Sequence, residues 1–335
     1  MNTQRQQGVA LVMVLIIVAM ISIISAQLIS ERNLQARRTS NIILADNAWH
    51  FALGAEILAK IVIKKSLEGE ESVNLSQPWA MEGIVFPIEG GTIAAEFKDL
   101  RSCFNLNGIL ATKINSGDKK HDEQDDQENP EKGPLAGEII FTELLKNLAL
   151  ADVNPKALAA TLRDWIDEDQ QPSGFDGRED YEYSGYTLPY RTADTFIGSR
   201  TELATISGFN SEIIERILPY VCIIPDEATL ILNVNTISVD QPELLSSFYD
   251  KLDITQASSI LSSRPEEGFE KSEFDTQLPA DAVLRKGASI DFTSAYFAVS
   301  IKVEVQRARV NLKSLLHYHE QSDDVLVIAH LGLDD

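Results

Sequence analysis

VALVMVLIIVAMISIISAQL, residues 9–28, runs twenty residues without a charge. As a helix rising about 1.5 Å per residue it reaches about 30 Å, the hydrocarbon thickness of a bilayer. The apolar core of a secretory signal is shorter, roughly 7–15 residues, and ends in a small-residue cleavage site. Here the apolar run is longer and the helical pattern continues beyond it. Between Gln27 and Leu67 there is no proline, and Gly54 is the only glycine, so nothing breaks the helix. The sequence predicts a single helix over residues 9–67, on the order of 90 Å long, with a transmembrane half at 9–28 and a second half at 29–67. In that second half Ile42, Ala45, Trp49, Leu53, Ile57 and Ile61 recur at three- and four-residue spacing. They form an apolar stripe that a folded domain is expected to cover.

The chain has 335 residues, 44% of them hydrophobic, which is enough for two cores. With 51 acidic against 29 basic residues the net charge is −22. That balance argues against a nucleic-acid partner, because phosphate binding needs clustered Lys and Arg, and it favours divalent cations. Cys103 and Cys222 are the only cysteines and form no CxxC pair, which disfavours zinc and thioredoxin-like chemistry. One structural disulfide fits an oxidising compartment; two separate buried thiols are the alternative.

Residues 92–100 alternate, with Ile93, Ala95 and Phe97 on one face, as a half-buried strand requires. The alternation returns in Phe297, Val299, Ile301, Val303 and Val305, followed by residues 309–316 and 324–331. Three such strands with short polar connections predict an antiparallel meander against the long helix. Between the two β regions the periodicity is helical, at 138–150, 155–167, 199–206, 211–220, 241–251 and 254–262. The expected fold class is therefore α+β: a long N-terminal helix packed on an antiparallel β-sheet formed by residues 70–104 and 290–335, with an inserted α-helical domain at 105–289. Within the insertion, residues 117–133 (GDKKHDEQDDQENPEKG) are too polar to bury and read as a flexible acidic loop, with His121 solvated in it.

A second acidic stretch carries chemistry. Asp164, Asp167, Glu168, Asp169, Asp176, Glu179, Asp180 and Glu182 surround Pro172, Gly174 and Gly177, with Arg163 and Arg178 as the cations. Such a loop offers the carboxylate and carbonyl oxygens that Ca2+ takes, but Pro172 stands where an EF-hand counted from Asp167 needs glycine. No Cys or His lies there for zinc. A calcium site and a solvated acidic loop are both open on these residues alone. The segments 203–218 and 234–260 have helix-hairpin-helix character, with Gly208 at the turn, but Glu212, Glu215 and Asp240 stand where DNA binding needs cations. His317 and His319 share a strand face without an evident nucleophile or carboxylate partner, so the chain is not expected to be an enzyme.

The basic residues do not orient the span: Arg5 precedes it, while Arg32, Arg37 and Arg38 follow it. The leader is more specific. A short polar segment, residues 1–7, ends in Gly8 directly before the apolar run, and this resembles the type IV prepilin signal. The resemblance implies that a prepilin peptidase cuts between Gly8 and Val9, removing residues 1–8, that the mature protein is methylated, and that the body lies outside the cell inner membrane. Most members of that class carry Glu at the fifth mature position, where this chain has Met13. A carboxylate in lipid is tolerable only when paired, so its loss suits a subunit with no neighbour above it.

Further stretches are similar to the K-type minor pseudopilin family of type II secretion. They are Cys103-Phe104-Asn105-Leu106-Asn107, Asp164-Trp165-Ile166-Asp167, Gly177-Arg178-Glu179-Asp180, Glu202-Leu203 ahead of Gly208-Phe209, Asn233-Val234-Asn235-Thr236 and the terminal strands. The resemblance implies a type IV pilin-like fold with the body in the periplasm. It also implies a place at the pseudopilus tip beside I-type and J-type minor pseudopilins, possible contact with exoproteins and the outer-membrane secretin, and structural Ca2+ in the insertion. Asp167, Asp169, Glu179 and Asp180 are the candidate ligands, with Asp176 and Asp194 as further ones. A minor pilin of a type IV pilus or DNA-uptake system shares the leader and architecture and is the alternative.

Overall fold

The computed structural model describes residues 4–81, 83–111, 134–225 and 227–332; the 117–133 loop and His121 lie outside them. Helix α1 runs unbroken over Gln4–Leu67, as the absence of breakers requires, and its stretch Val9–Leu67 is long and apolar enough to cross a membrane. A five-stranded sheet follows, in the order β1-β2-β9-β10-β11. Its strands are β1 (Val85–Ile88), β2 (Gly91–Asp99), β9 (Tyr296–Val305), β10 (Ala308–His319) and β11 (Asp324–Leu331). Residues 100–295 thus separate two neighbouring strands of one sheet.

The intervening segment holds helices α2 (Ala136–Asn147), α3 (Pro155–Ile166), α4 (Asp180–Tyr183), α5 (Ser211–Ile217), α6 (Pro242–Phe248), α7 (Ile254–Ser262) and α8 (Lys271–Gln277). It also holds short strands: β3 (Phe104–Asn105) pairs in parallel with β4 (Val221–Cys222), β5 (Leu230–Asn233) pairs with β8 (Ala288–Asp291), and β6 (Tyr249–Asp250) pairs with β7 (Val283–Leu284). The segment expected as a helix at 199–206 is a 3-10 turn over Arg200–Thr205, started by a Ser199/Glu202 capping box.

The chain forms two compact units. The first comprises Met1–Ala55, Val85–Ala94 and Lys302–Asn311. Here β1 and β2 make a hairpin in which Ile88 pairs with Gly91. Gly91 has no alternative: a Cβ there would lie 1.7 Å from the Glu304 carbonyl oxygen of β9. Gly90, at φ +77, supplies the left-handed residue of the turn. Arg307, in the β9–β10 turn, donates from Nη2 to Ser40 Oγ of α1 at 3.0 Å.

The second unit comprises Glu56–Ile84, Ala95–Ile301 and Leu312–Asp335. Its helical part has one continuous core, which includes Phe104, Phe141, Leu162, Ile217, Leu244, Phe248 and Phe274. Beside it Leu100, Cys103, Cys222, Ile224 and Leu315 form a smaller cluster, and Cys103 and Cys222 are joined as a disulfide with Cα atoms 5.8 Å apart. Asp99, at the end of β2, ties the sheet to the helical segment. It is 2% exposed, and its carboxylate accepts hydrogen bonds from Thr236 Oγ1 and Ser294 Oγ, both at 2.5 Å, and from the Arg101 amide at 2.8 Å. The final turns of α1 are fastened within this unit. Glu56 accepts from Ser314 Oγ and lies 2.8 Å from His330 Nε2, and Lys64 pairs with Asp323 at 2.9 Å.

The stripe read as the covered face of α1 is mostly open: Ile42 is 70% exposed, Trp49 41%, Ile57 61% and Ile61 45%, and Leu53 is half-buried. The covered face is Ala48, Ala52, Ala55, Ala59 and Ile63, roughly a third of a turn around the helix. Alanine carries little apolar area, so it contributes weakly to a periodicity search. Its small side chain is nevertheless what allows neighbouring elements to approach the helix backbone closely.

Candidate functional site

Helix α3 begins with Asn154, whose side chain accepts from the Lys156 and Ala157 amides, and with Pro155 at its first position, a combination that fixes a helix start. Twelve residues later the helix ends at Ile166 and delivers two carboxylates to one place: Asp164, fully buried in the last turn, and Asp167, the residue just past it. The chain then loops through Pro172 and Gly174 and returns with Glu179 immediately before α4. Oxygens of Asp164, Asp167 and Glu179 all lie within 4.8 Å of one another.

This cluster is short of positive charge. Arg163 Nε sits 3.4 Å from Asp167 Oδ2, but Arg163 Nη1 is also 3.4 Å from Glu138 Oε2, so one guanidinium is shared. Asp164 accepts from the Ser173 amide through both oxygens, at 2.9 and 3.1 Å. Asp167 Oδ1 and both oxygens of Glu179 are buried with no hydrogen-bond partner. Buried lone pairs of this kind are costly, above all on charged groups. Burial, reinforced by Asp169 and Asp164, pushes the Asp167 carboxyl up to about 7. Burial, with Asp164 and Asp167 next in weight, pushes Glu179 up to about 8. Asp164 is also raised by burial, against the opposing Ser173 hydrogen bonds.

The surroundings keep water out. Trp165 and Tyr183 meet edge to face at 5.5 Å, Tyr190 lies 5.2 Å from Tyr183, and Tyr183 is fully buried with its hydroxyl accepting from the Ser207 amide. Gly177 closes the near side: a Cβ there would stand 2.3 Å from Asp164 Oδ2, so only glycine fits.

The other candidate ligands face elsewhere. Asp180 Oδ1 accepts from the Thr192 amide and hydroxyl at 3.0 and 2.9 Å. Asp194, held at φ 48, accepts from Thr192 Oγ1 at 2.6 Å and from Gln170. Asp169 caps the Gln171 amide at 2.7 Å, and Asp176 is not among the three clustered carboxylates. Asp169 and Asp194 still raise the Glu179 pKa through their charge. Asp164 is the member that selection by sequence passed over. Its signal was the Asp164/Asp167 spacing across a helix end, which puts both side chains on one side.

The donors are all oxygen and several are unpaired, a set that fits a hard divalent cation. Bound there, the ion would supply charge neutralisation and a cross-link between the end of α3 and the start of α4. At the other end of the chain Gly8 and Val9 lie in the first turns of α1, with Met13 61% exposed on the same helix.

An apolar stem continuous with a long helix, an antiparallel sheet, and a helical domain inserted between two neighbouring strands define a membrane-anchored, pilin-like subunit. The family model for type II secretion system protein K matches residues 102–226, and a second model of the same description matches 232–291. The chain belongs to this family, the K-type minor pseudopilins of type II secretion. It is 35% identical to type II secretion system protein K of Aeromonas hydrophila, over 94% of this chain and 93% of that one. It is 32% identical to the Pseudomonas aeruginosa protein, over 93% and 88%. A solved GspK-GspI-GspJ complex from the type II secretion system of enterotoxigenic Escherichia coli matches with TM-score 0.72 at 25% identity, covering 88% of this chain and 98% of that one.

Proposed function

We propose that this minor pseudopilin sits at the tip of the type II secretion pseudopilus and initiates its assembly together with I-type and J-type minor pseudopilins. The stem is held in the cell inner membrane, the body lies in the periplasm, and a prepilin peptidase releases the mature protein at Val9. The observation that carries this reading is the open apolar stripe of α1, from Ile42 through Trp49 and Ile57 to Ile61. A helix face of that composition is what sibling stems pack against. The solved neighbour, a complex of K, I and J proteins, supports the identity of the siblings.

In this reading the protein is architectural and not catalytic. The clustered carboxylates Asp164, Asp167 and Glu179 hold Ca2+ that stiffens the head, and Asp169, Asp180, Asp176 and Asp194 shape the loop around it. The head supports export across the outer membrane, where exoproteins and the secretin are within its reach. The test is co-expression of the full-length chain with the I-type and J-type subunits of the same system, followed by extraction in non-ionic detergent and purification through a tag on this chain. Recovery of both siblings in stable proportion is expected; recovery of this chain alone would refute the assembly role.

A further inference from the structure

Two of the five histidines stand side by side, away from both the stem and the acidic loop. His317 and His319 belong to β10, and residues two apart on a strand point to the same face. Their ring centroids are 4.0 Å apart. His317 is also stacked on Tyr296 of β9, at 4.2 Å with the planes 3° apart, so packing fixes its orientation. Both side chains are half-buried. Among the described residues neither imidazole takes part in a hydrogen bond or an ion pair. Partly buried polar groups generally find a partner; here two adjacent ones are left open to solvent.

The surrounding charges leave room for a cation. Burial lowers the His317 pKa, and His319 lowers it further, while Glu227 raises it and Arg101 lowers it less strongly. The imidazole is therefore neutral at pH 7, with a lone pair free to ligate. Arg101 is itself paired with Asp291 at 3.3 Å. Glu227 accepts from the Tyr296 hydroxyl, and Asp324 of β11 stands opposite His319 in the register, which places a second carboxylate on this face. Ring centres 4.0 Å apart let one nitrogen of each ring reach the separation of about 3.3 Å that two ligands span around a tetrahedral ion at about 2.0–2.1 Å. Rotation of His319 about its side-chain bonds aims both lone pairs at one point. Imidazole nitrogen selects ions of the zinc, copper and nickel class, whereas Ca2+ takes oxygen, so this pair and the acidic loop call for different ions.

We propose that His317 and His319 chelate one divalent transition-metal ion of the Zn2+ class, with water in the remaining coordination positions. Untagged full-length protein in non-ionic detergent is titrated with Zn2+ by calorimetry, in excess Ca2+ so that the carboxylates of the acidic loop are competed for. One zinc equivalent is expected in the wild type and its loss is expected in both His317→Gln and His319→Gln. Retention of that equivalent in either variant overturns the proposal. Labelling of the wild-type protein with diethyl pyrocarbonate, read by peptide mass, gives an answer that does not depend on how the variants fold. Zinc should protect His317 and His319 from carbethoxylation and Mg2+ should not. Equal labelling of the pair with and without zinc overturns the assignment.

Discussion

The carboxylates of Asp167 and Glu179 approach within 4.8 Å, and three of their four oxygens are buried without a hydrogen bond. Two anions do not stay this close in a dry site without a proton or a cation between them.

Chelating divalent ions from the full-length protein should lower its melting temperature. A ligand present at about 100 times its Kd adds about 2.7 kcal/mol of stability, which for a domain of this size is roughly 5–10 °C. Scanning calorimetry with Ca2+ and with chelator measures it. Glu179→Gln should abolish the calcium effect and raise the melting temperature of the chelated protein, because a neutral amide needs neither a buried charge nor the proton that Glu179 must take up to fold. A Glu179→Gln protein that still gains stability from Ca2+ would move the site elsewhere.

The pH dependence should change direction with the ion. Both carboxyls have folded-state values, about 7 for Asp167 and about 8 for Glu179, above the roughly 4 of an unfolded chain. The folded form therefore holds protons that the unfolded form has released, and stability falls as pH rises through 7 to 8. Chelated protein should accordingly melt higher at pH 5.5 than at pH 8. Calcium competes with those protons, so its stabilising increment should grow from pH 5.5 to pH 8. A chelated protein with the opposite trend would contradict the cluster's electrostatics.

The two faces of α1 should respond differently to substitution. Ile57→Glu alters an open position, 61% exposed, so folding stability should move by no more than about 0.5 kcal/mol while recovery of the I-type and J-type subunits drops sharply. Ala52→Leu enlarges a fully buried position and should destabilise by about 1–3 kcal/mol through overpacking. Denaturant titration paired with co-purification reads both.

The link between Cys103 and Cys222 closes a loop of 119 residues, for which chain-entropy estimates give about 4–5 kcal/mol and measured losses about 2–5 kcal/mol. The double Cys→Ser variant should lose that much in urea unfolding. A wild-type midpoint unmoved by reductant, once mass mapping shows the bond cleaved, would count against a stabilising role.

Much of this fold is legible from local pattern. The helix is readable because nothing between Gln27 and Leu67 can stop it, and the terminal meander because Phe297, Val299, Ile301, Val303 and Val305 are inward on one strand. What escapes depends on tertiary context. Strand β1 contains Pro87 and survives only as an edge. The two-residue strands β3 and β4 exist because Phe104 and Asn105 meet Val221 and Cys222 across a long loop. The covered face of α1 is mostly alanine, with Ile63 and Leu67 at its end, while Ile42, Trp49, Ile57 and Ile61 point outward. At the site, composition marked the acidic loop, but only the fold separates Glu179, left unpaired, from Asp180, which turns to Thr192.

If the stem stays in the membrane after its leader is trimmed, the mass of the N-terminal peptide of protein recovered from inner membranes shows it most directly. A mature chain beginning at Val9 is the predicted result. A chain beginning at Met1, or at a residue downstream of Ala26, would contradict it.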